Sequence, residues 1–463
     1  MRVGEGEAGG PTAAADGGLA RGASITFAAR VAALLLGIAG SVIVARALGP
    51  AGRGQYTLII LIPTLLQITG GLGLDQAIVY LVARNRDDAR SIAVTLASAS
   101  SGLGLLLIAL YAVISLLPPY IGYLRTAQVD PTLVWILVAL LPVTLVALCL
   151  QSTILGLERY RAYNLASLIG PVATLILLLA LVVVLRLGVA GAVLASAGSS
   201  LLAVVGAASL LVRTSSGRIR LAPGVVREAM RYGIRVHAAN VAWFLHYRSD
   251  MFLVGYLAGP AALGYYATAV GLAEKLNLPP SAVGTVLFPR IAAGTAEDAR
   301  RVTPAACRHT LSLTLLLCVG LALVAWPLIY VLFGSAFLPA VPLLWLLLPG
   351  ISSLSLGRLL SADLNGRGLP GSVARVNVAM ALVNIGLNLW WIPIWGAAGS
   401  AAATSISYSA AVVLLGRRYV RASGVRWREL FVLTRAERGR LARLIFRGAG
   451  RRSTERSGRE PGS

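Results

Sequence analysis

Charge is what this chain lacks. Of 463 residues only 13% are Asp, Glu, Lys or Arg, against about 25% in an ordinary soluble domain, which excludes a water-soluble globule of this length. Cysteine is almost missing too. Cys149, Cys307 and Cys318 are odd in number and show no ligand spacing, so neither a disulfide framework nor a zinc site is expected. His237, His246 and His309 are too few and too scattered for a metal cluster. Lysine occurs once, as Lys275 after Glu274, and a nucleotide-binding loop needs a Gly-Lys pair. Residues 1–23 lack the basic and then apolar pattern of a signal peptide. Their Gly, Ala, Glu5, Glu7 and Asp16 read as a disordered tail.

Apolar residues fill the space, at 57% of the chain. Breakers divide it into about twelve segments, each long enough to cross a hydrocarbon core of about 30 Å. Their cores are 24–46, 55–83, 89–117, 129–156, 162–185, 189–212, 228–257, 262–292, 303–333, 340–365, 371–394 and 396–420. Helix is the expected conformation, because every backbone amide in lipid needs an internal partner and the alternation of a barrel is absent. The 41 Lys+Arg against 18 Asp+Glu give a net charge of +23, and its location argues against nucleic acid as the partner. With a cytoplasmic N-terminus, the inward connectors hold Arg84, Arg86, Arg90, Arg159, Arg161, Arg213, Arg218, Arg220, Arg227, Arg231, Arg290, Arg300, Arg301, Arg367 and Arg375. The outward connectors hold only Arg46, Arg53, Arg125 and Arg186. This is positive-inside placement. It predicts an even helix count, both termini cytoplasmic, and a multi-pass protein of the inner (cytoplasmic) membrane.

The chain repeats itself. Gly49-Pro50-Ala51-Gly52-Arg53-Gly54-Gln55-Tyr56 matches Gly259-Pro260-Ala261-Ala262-Leu263-Gly264-Tyr265-Tyr266 at an offset of 210. Gly188-Val189-Ala190-Gly191-Ala192 matches Gly396-Ala397-Ala398-Gly399-Ser400 at 208. Two matches in corresponding hairpins predict an all-α polytopic membrane protein of two six-helix bundles. Six is even, so the bundles are expected to be related by a pseudo-two-fold axis along the membrane normal. The expected organisation is a disordered tail 1–23, bundles 24–212 and 228–421 joined by a cytoplasmic linker 213–227, and a basic tail 422–463.

The strings "VARALGPAGRGQYTLI" (Val44–Ile59), "GLGLDQAIVYLVAR" (Gly71–Arg84), "LQSTILGLERYRAYNLAS" (Leu150–Ser167), "RSDMFLVGYLAGPAALGYYATAVGLAEKL" (Arg248–Leu276) and "GRGLP" (Gly366–Pro370) carry a family likeness in their order and spacing. Over residues 24–421 the chain resembles the lipid-linked oligosaccharide flippases, the Wzx-type polysaccharide biosynthesis proteins. Their superfamily also holds multidrug extrusion transporters and the lipid II flippase. The resemblance implies alternating access that moves a polyprenyl-diphosphate-linked glycan from the cytoplasmic to the outer leaflet, for cell-surface polysaccharide.

Ionisable groups inside spans cost about 2.5–3.5 kcal/mol at the centre on insertion scales and so usually face a cavity. Segment seven concentrates them in Arg235, His237, Asn240, His246, Arg248 and Asp250, and segment eight adds Glu274 and Lys275. A diphosphate cargo selects guanidinium and ammonium partners, so Arg30, Arg235, Arg248 and Lys275 are the expected headgroup contacts. Asn240, Asn384 and Asn388, with Trp243 and Tyr247, suit a hydroxyl-rich glycan. Asp250, Glu274 and Asp75 are candidates for ion coupling or for structural pairing, the coupling ion being H+ or Na+. Arg30 and Arg235 also lie near enough to the cytoplasmic face to snorkel, and Arg358 also fits a topogenic charge. Pro279 and Pro280 are the hinge candidates, a static bend being the simpler reading. No metal or other cofactor is expected.

The tail from 417 carries 14 Arg against 4 Glu. Trp427, Leu430, Phe431, Leu441, Leu444 and Ile445 recur at helical spacing, which predicts an interfacial amphipathic helix on anionic lipid. Docking of glycan-assembly enzymes there is the sharper alternative. An enzyme is not expected, since the outward connectors are short and offer mainly Arg125. The rival readings are a multidrug efflux transporter and a membrane scaffold for glycan assembly.

Overall fold

The computed structural model describes residues 12–214 and 220–431. Residues 1–11 of the expected N-terminal tail, 215–219 of the linker, the chain from 432 on with Leu441, Leu444 and Ile445, and the side chain of Arg235 lie outside the described residues. Among the described residues there are helices and no strand.

Helix α1 (Thr12–Gly70) holds the first two crossings, joined at Gly49 with φ 66° and ψ −177°, a conformation open to glycine. Residues twelve apart on a straight helix stand about 18 Å apart. Yet the Arg53 guanidinium donates to the Ser41 carbonyl at 2.8 Å and to Ser41 Oγ at 2.9 Å, so the chain folds back there. Gly71–Gly73 breaks the second crossing before α2 (Leu74–Arg84). The third is α3 (Ala89–Ser115), and the short α4 (Pro118–Thr126) lies in the following connector. Pro142 divides the fourth into α5 (Pro131–Val138) and α6 (Leu141–Gly156). The fifth is α7 (Tyr160–Leu178), widened into a π-turn over Leu179–Val184, and the sixth is α8 (Gly188–Thr214). The seventh is α9 (Pro223–Leu257). The eighth comprises α10 (Gly259–Ala273), a 3₁₀ turn (Glu274–Asn277) and α11 (Leu278–Ala293). The last four are α12 (Ala296–Phe333), α13 (Ala340–Gly366), α14 (Pro370–Trp395) and α15 (Ala397–Ser423), and α16 (Arg428–Phe431) follows.

Nine stretches among the described residues are long and apolar enough to cross a membrane. The twelve crossings are recovered because Thr26–Gly70 counts once but turns at Gly49. The other two, α9 and the broken α10–α11 helix, fall short through polar residues and the 3₁₀ turn. Contacts between connectors obey the predicted parity. Arg86 pairs with Glu158 at 2.7 Å, and the Arg220 amide donates to Ser91 Oγ at 3.1 Å, joining connectors expected inward. Gln55 Nε2 donates to the Gln128 carbonyl at 2.8 Å, and Arg46 Nε to the Leu332 carbonyl at 2.8 Å, joining connectors expected outward. Arg46 thus sits on the unfilled carbonyls at the C-terminus of α12, the negative end of its dipole.

Packing groups the chain into two compact units, Met1–Ala269 with Trp326–Leu343 and Asn384–Ala401, and Val270–Ala325 with Leu344–Val383 and Ala402–Ser463. Within the first unit, α9 packs on α1, α2 and α3. There the two repeats meet themselves. A Cβ on Gly54 would stand 1.8 Å from the Pro260 carbonyl oxygen, and one on Gly264 2.0 Å from that of Pro50. Partners and offsets are reciprocal, as for one surface packed on its own copy, and only glycine permits so close an approach.

In the second unit the start of the tail departs from the expected interfacial helix. Leu430 is fully buried, the Trp427 ring fills the space above Gly416, and Arg308 Nη1 donates to the Glu429 carbonyl at 2.5 Å. Helical spacing reads the same for a face on lipid and a face on protein. All three thiols are buried, with Cys149 Sγ 3.7 Å from the Ala93 carbonyl and Cys318 Sγ 3.7 Å from that of Leu348.

Candidate transport site

The first unit gathers its intramembrane polarity on α9. Asp250 is 4% exposed, and its carboxylate accepts from the Tyr266 hydroxyl at 2.5 Å and from the Met251 amide at 2.7 Å. Tyr266 ends the second copy of the repeated hairpin, so the hairpin that places Gly264 against Pro50 also aims a phenol at Asp250. A buried carboxylate needs such donors, since an unsatisfied one is far too costly to hold in its charged form. Arg248 is half-buried and stands two residues before Asp250, about half a turn and so well round the cylinder from it. Trp243 and Tyr247 stack at 4.6 Å, with His246 edge-on to Tyr247 at 5.6 Å.

The first repeat keeps the scaffold without the acid. Tyr56, the counterpart of Tyr266, shares a hydrogen bond of 2.8 Å with Ser196 Oγ. The counterpart of Asp250 is Gly40.

The other expected residues stand on several helices. Arg30 is exposed on α1 and Asn240 half-buried on α9. Asp75 stands in the first turn of α2, just after the Gly71–Gly73 break, where the helix dipole favours an acid. Asn384 and Asn388 are buried on α14, Asn388 Nδ2 donating to the Asn384 carbonyl at 2.8 Å and to its Oδ1 at 2.9 Å. The structure therefore joins Asn384 to Asn388.

In the second unit, Glu274 and Lys275 occupy the 3₁₀ turn, Glu274 half-buried and Lys275 exposed. Pro279 and Pro280 open α11, so the hinge candidates mark a true interruption of the eighth crossing. Two polar groupings escape a reading by composition. Asp363 on α13 is fully buried, accepts from Thr303 Oγ1 at 2.6 Å and pairs with Arg367 one turn on. That is a structural lock at the "GRGLP" connector. Arg358, four residues past Leu354 on the same helix, donates from Nη1 to Ser281 Oγ at 3.1 Å. Its sequence signal is an arginine inside an apolar run.

Four likenesses bear on the family and the fold. The sequence model of the family described as polysaccharide biosynthesis protein matches residues 19–294, more than half of the chain. A relative named "Probable low-salt glycan biosynthesis flippase Agl15", from Haloferax volcanii, is 22% identical over 192 residues, and the match spans 41% of each protein's length. Among solved structures, the lipid II flippase MurJ in an inward closed conformation superposes with a TM-score of 0.71, at 17% identity over 88% of each chain. An inward-facing multidrug resistance transporter of the MATE family and MOP superfamily gives 0.66, at 17% identity over 85% of this chain and 95% of that one. At these identities the structural likeness speaks for the fold.

Proposed function

The chain belongs to the polysaccharide biosynthesis protein family, and from that premise we propose that it moves a polyprenyl-diphosphate-linked oligosaccharide from the cytoplasmic to the outer leaflet by alternating access. It is a multi-pass membrane protein whose family and fold relatives are flippases and transporters. The observation that carries the proposal is α9, a membrane helix that bears Asn240, His246, Arg248 and Asp250 together. Arg30, Arg235, Arg248 and Lys275 supply the positive charge that a diphosphate seeks. Asn240, Asn384 and Asn388 are the proposed glycan partners, although the burial of the last two puts them behind the surface in this conformation. Asp250 is the proposed coupling carboxylate for H+ or Na+, with Glu274 and Asp75 as lesser candidates, and Pro279-Pro280 the hinge. Positive-inside placement argues for the inner membrane and cytoplasmic termini. The basic tail is proposed to meet anionic lipid, and glycan-assembly enzymes through it.

Headgroup accessibility of a polyprenyl-diphosphate glycan in vesicles holding the purified protein is the test. Wild type should move the glycan, and Arg248→Ala and Lys275→Ala should each slow it by about tenfold, the loss of one charged contact. Equal rates in all three would remove the site, and no movement by wild type would remove the flippase reading. Asp250, buried and acidic, favours a second reading, extrusion of cationic drugs. Transport of a cationic dye with no glycan movement would select it. Deleting 432–463 separates a scaffold, which would lose function in cells, from a carrier, which should still transport.

A further inference from the structure

The second unit carries a cation that no described carboxylate pairs with. Arg358 stands within the apolar run of α13, and among the described residues no carboxylate lies within ion-pair distance of it. Its neighbour on the same helix shows what a structural arginine looks like there: Arg367 is paired with the buried Asp363. Arg358 instead makes one neutral hydrogen bond, to Ser281 Oγ, and its Nε is buried without a partner.

Ser281 leads to a second set of unfilled groups. Its hydroxyl donates to the Asn277 carbonyl at 2.7 Å, which leaves its lone pairs to Arg358. The Asn277 side chain is 7% exposed, with Oδ1 buried and unpartnered. The Leu276 carbonyl faces a further deficit written in the sequence. Its helical donors would be the amides of Pro279 or Pro280, and proline has none. Gly284, one turn past Ser281, lies beside Leu359 with 3.9 Å from a built Cβ to Leu359 Cδ2, so α11 runs against α13 at this point.

Arg358 is thus linked through Ser281 to Asn277, and that turn holds two acceptors that want a hydroxyl. A bare anion would satisfy the first and be repelled by the others, and a neutral sugar would leave the charge unmet. We propose that Arg358, Ser281 and Asn277 form a site for a phosphorylated sugar. A phosphate oxygen accepts from the Arg358 Nε–H and the adjoining N–H, and a sugar hydroxyl donates to Asn277 Oδ1 and the Leu276 carbonyl. The site deepens the transport reading and rests on it, naming the glycosyl phosphate end of the cargo as what this helix break receives.

Binding to the purified full-length protein in detergent, measured by calorimetry with no transport step, tests the site. The probes are glucose 1-phosphate, inorganic phosphate and glucose at matched ionic strength. Wild type should prefer glucose 1-phosphate over phosphate by about fivefold, the worth of one added hydrogen bond. Arg358→Gln should weaken both by about tenfold, and Arg358→Lys by less, since it keeps the charge and loses the planar fork. Asn277→Ala should leave phosphate binding unchanged and erase the preference. Unchanged binding in all three variants overturns the site, as does equal displacement by chloride, which would mean a mere counterion. Should Arg358→Gln fail to fold, Arg358→Lys and Asn277→Ala decide alone. The wild-type pattern without glycan movement in vesicles would sink the transport reading and keep the site; glycan movement without the pattern would do the reverse.

Discussion

The two repeated hairpins share a backbone and differ in chemistry. Both turn at a glycine in the left-handed region, Gly49 at φ 66° and Gly259 at φ 84°. Both follow it with proline, cross at Gly54 and Gly264, and end in a tyrosine that bonds a neighbouring crossing. Where the second copy has Arg248-Ser249-Asp250, however, the first has Ile38-Ala39-Gly40. The buried charge of the first copy is Arg53, 8% exposed, tied to Ser41 and lying 5.6 Å from the Phe333 ring centre. Its counterpart is the buried Leu263. Duplication has kept what the turn and crossing demand of the main chain, and has freed the side chains to diverge. The first copy uses its cation to hold structure, while the second places an acid within reach of a hydroxyl.

The comparison breaks most severely at the crossing. Gly54→Ala and Gly264→Ala both drive a Cβ into a carbonyl that cannot yield, and each should cost about 3 kcal/mol, read as a lower melting temperature in detergent. Because both open one interface, the double variant should fall short of the sum; strict additivity would mean two independent contacts. The tyrosines come next. Tyr266→Phe removes a hydrogen bond to a carboxylate and should cost about 2 kcal/mol, whereas Tyr56→Phe removes a neutral one and should cost about 1 kcal/mol. Equal losses would show that Asp250 is held without charge. Asp250→Asn preserves the shape and an acceptor for Tyr266, so it should lower transport by about tenfold, or 1.4 kcal/mol, with little change in melting. Arg46→Gln should have the smallest effect, about 0.5 kcal/mol from the lost dipole contact on α12, with transport intact.

Much of the fold was legible because lipid leaves few options. Apolar runs, prolines and arginine parity located twelve crossings, and the offset of 210 marked the two hairpins as copies, whereas their meeting at Gly54 and Gly264 came only from packing. The helix break was legible in Pro279-Pro280, since two consecutive residues without amides cannot continue an α-helix. Less of the site could be read. Asn384 and Asn388 were legible as intramembrane amides, but which side of a helix meets protein depends on neighbours distant in sequence. Arg358 read equally well as a topogenic charge, because a lone arginine does not announce whether an acid awaits it. Asp363 and Arg367 pair one turn apart, a spacing visible in sequence. The burial that makes their pair a lock comes from Thr303 and Tyr419, far along the chain. Trp427 and Leu430 misled for the same reason, the hollow over Gly416 being invisible in a linear string.

The sealed thiols have a practical consequence. Cys149, Cys307 and Cys318 all lie beneath the surface, so a maleimide added to the native protein should find almost nothing to modify. Reporter cysteines can therefore be installed singly in the otherwise unaltered chain, for instance at exposed Asp87 or Thr126, and followed from either side of a vesicle against a dark background.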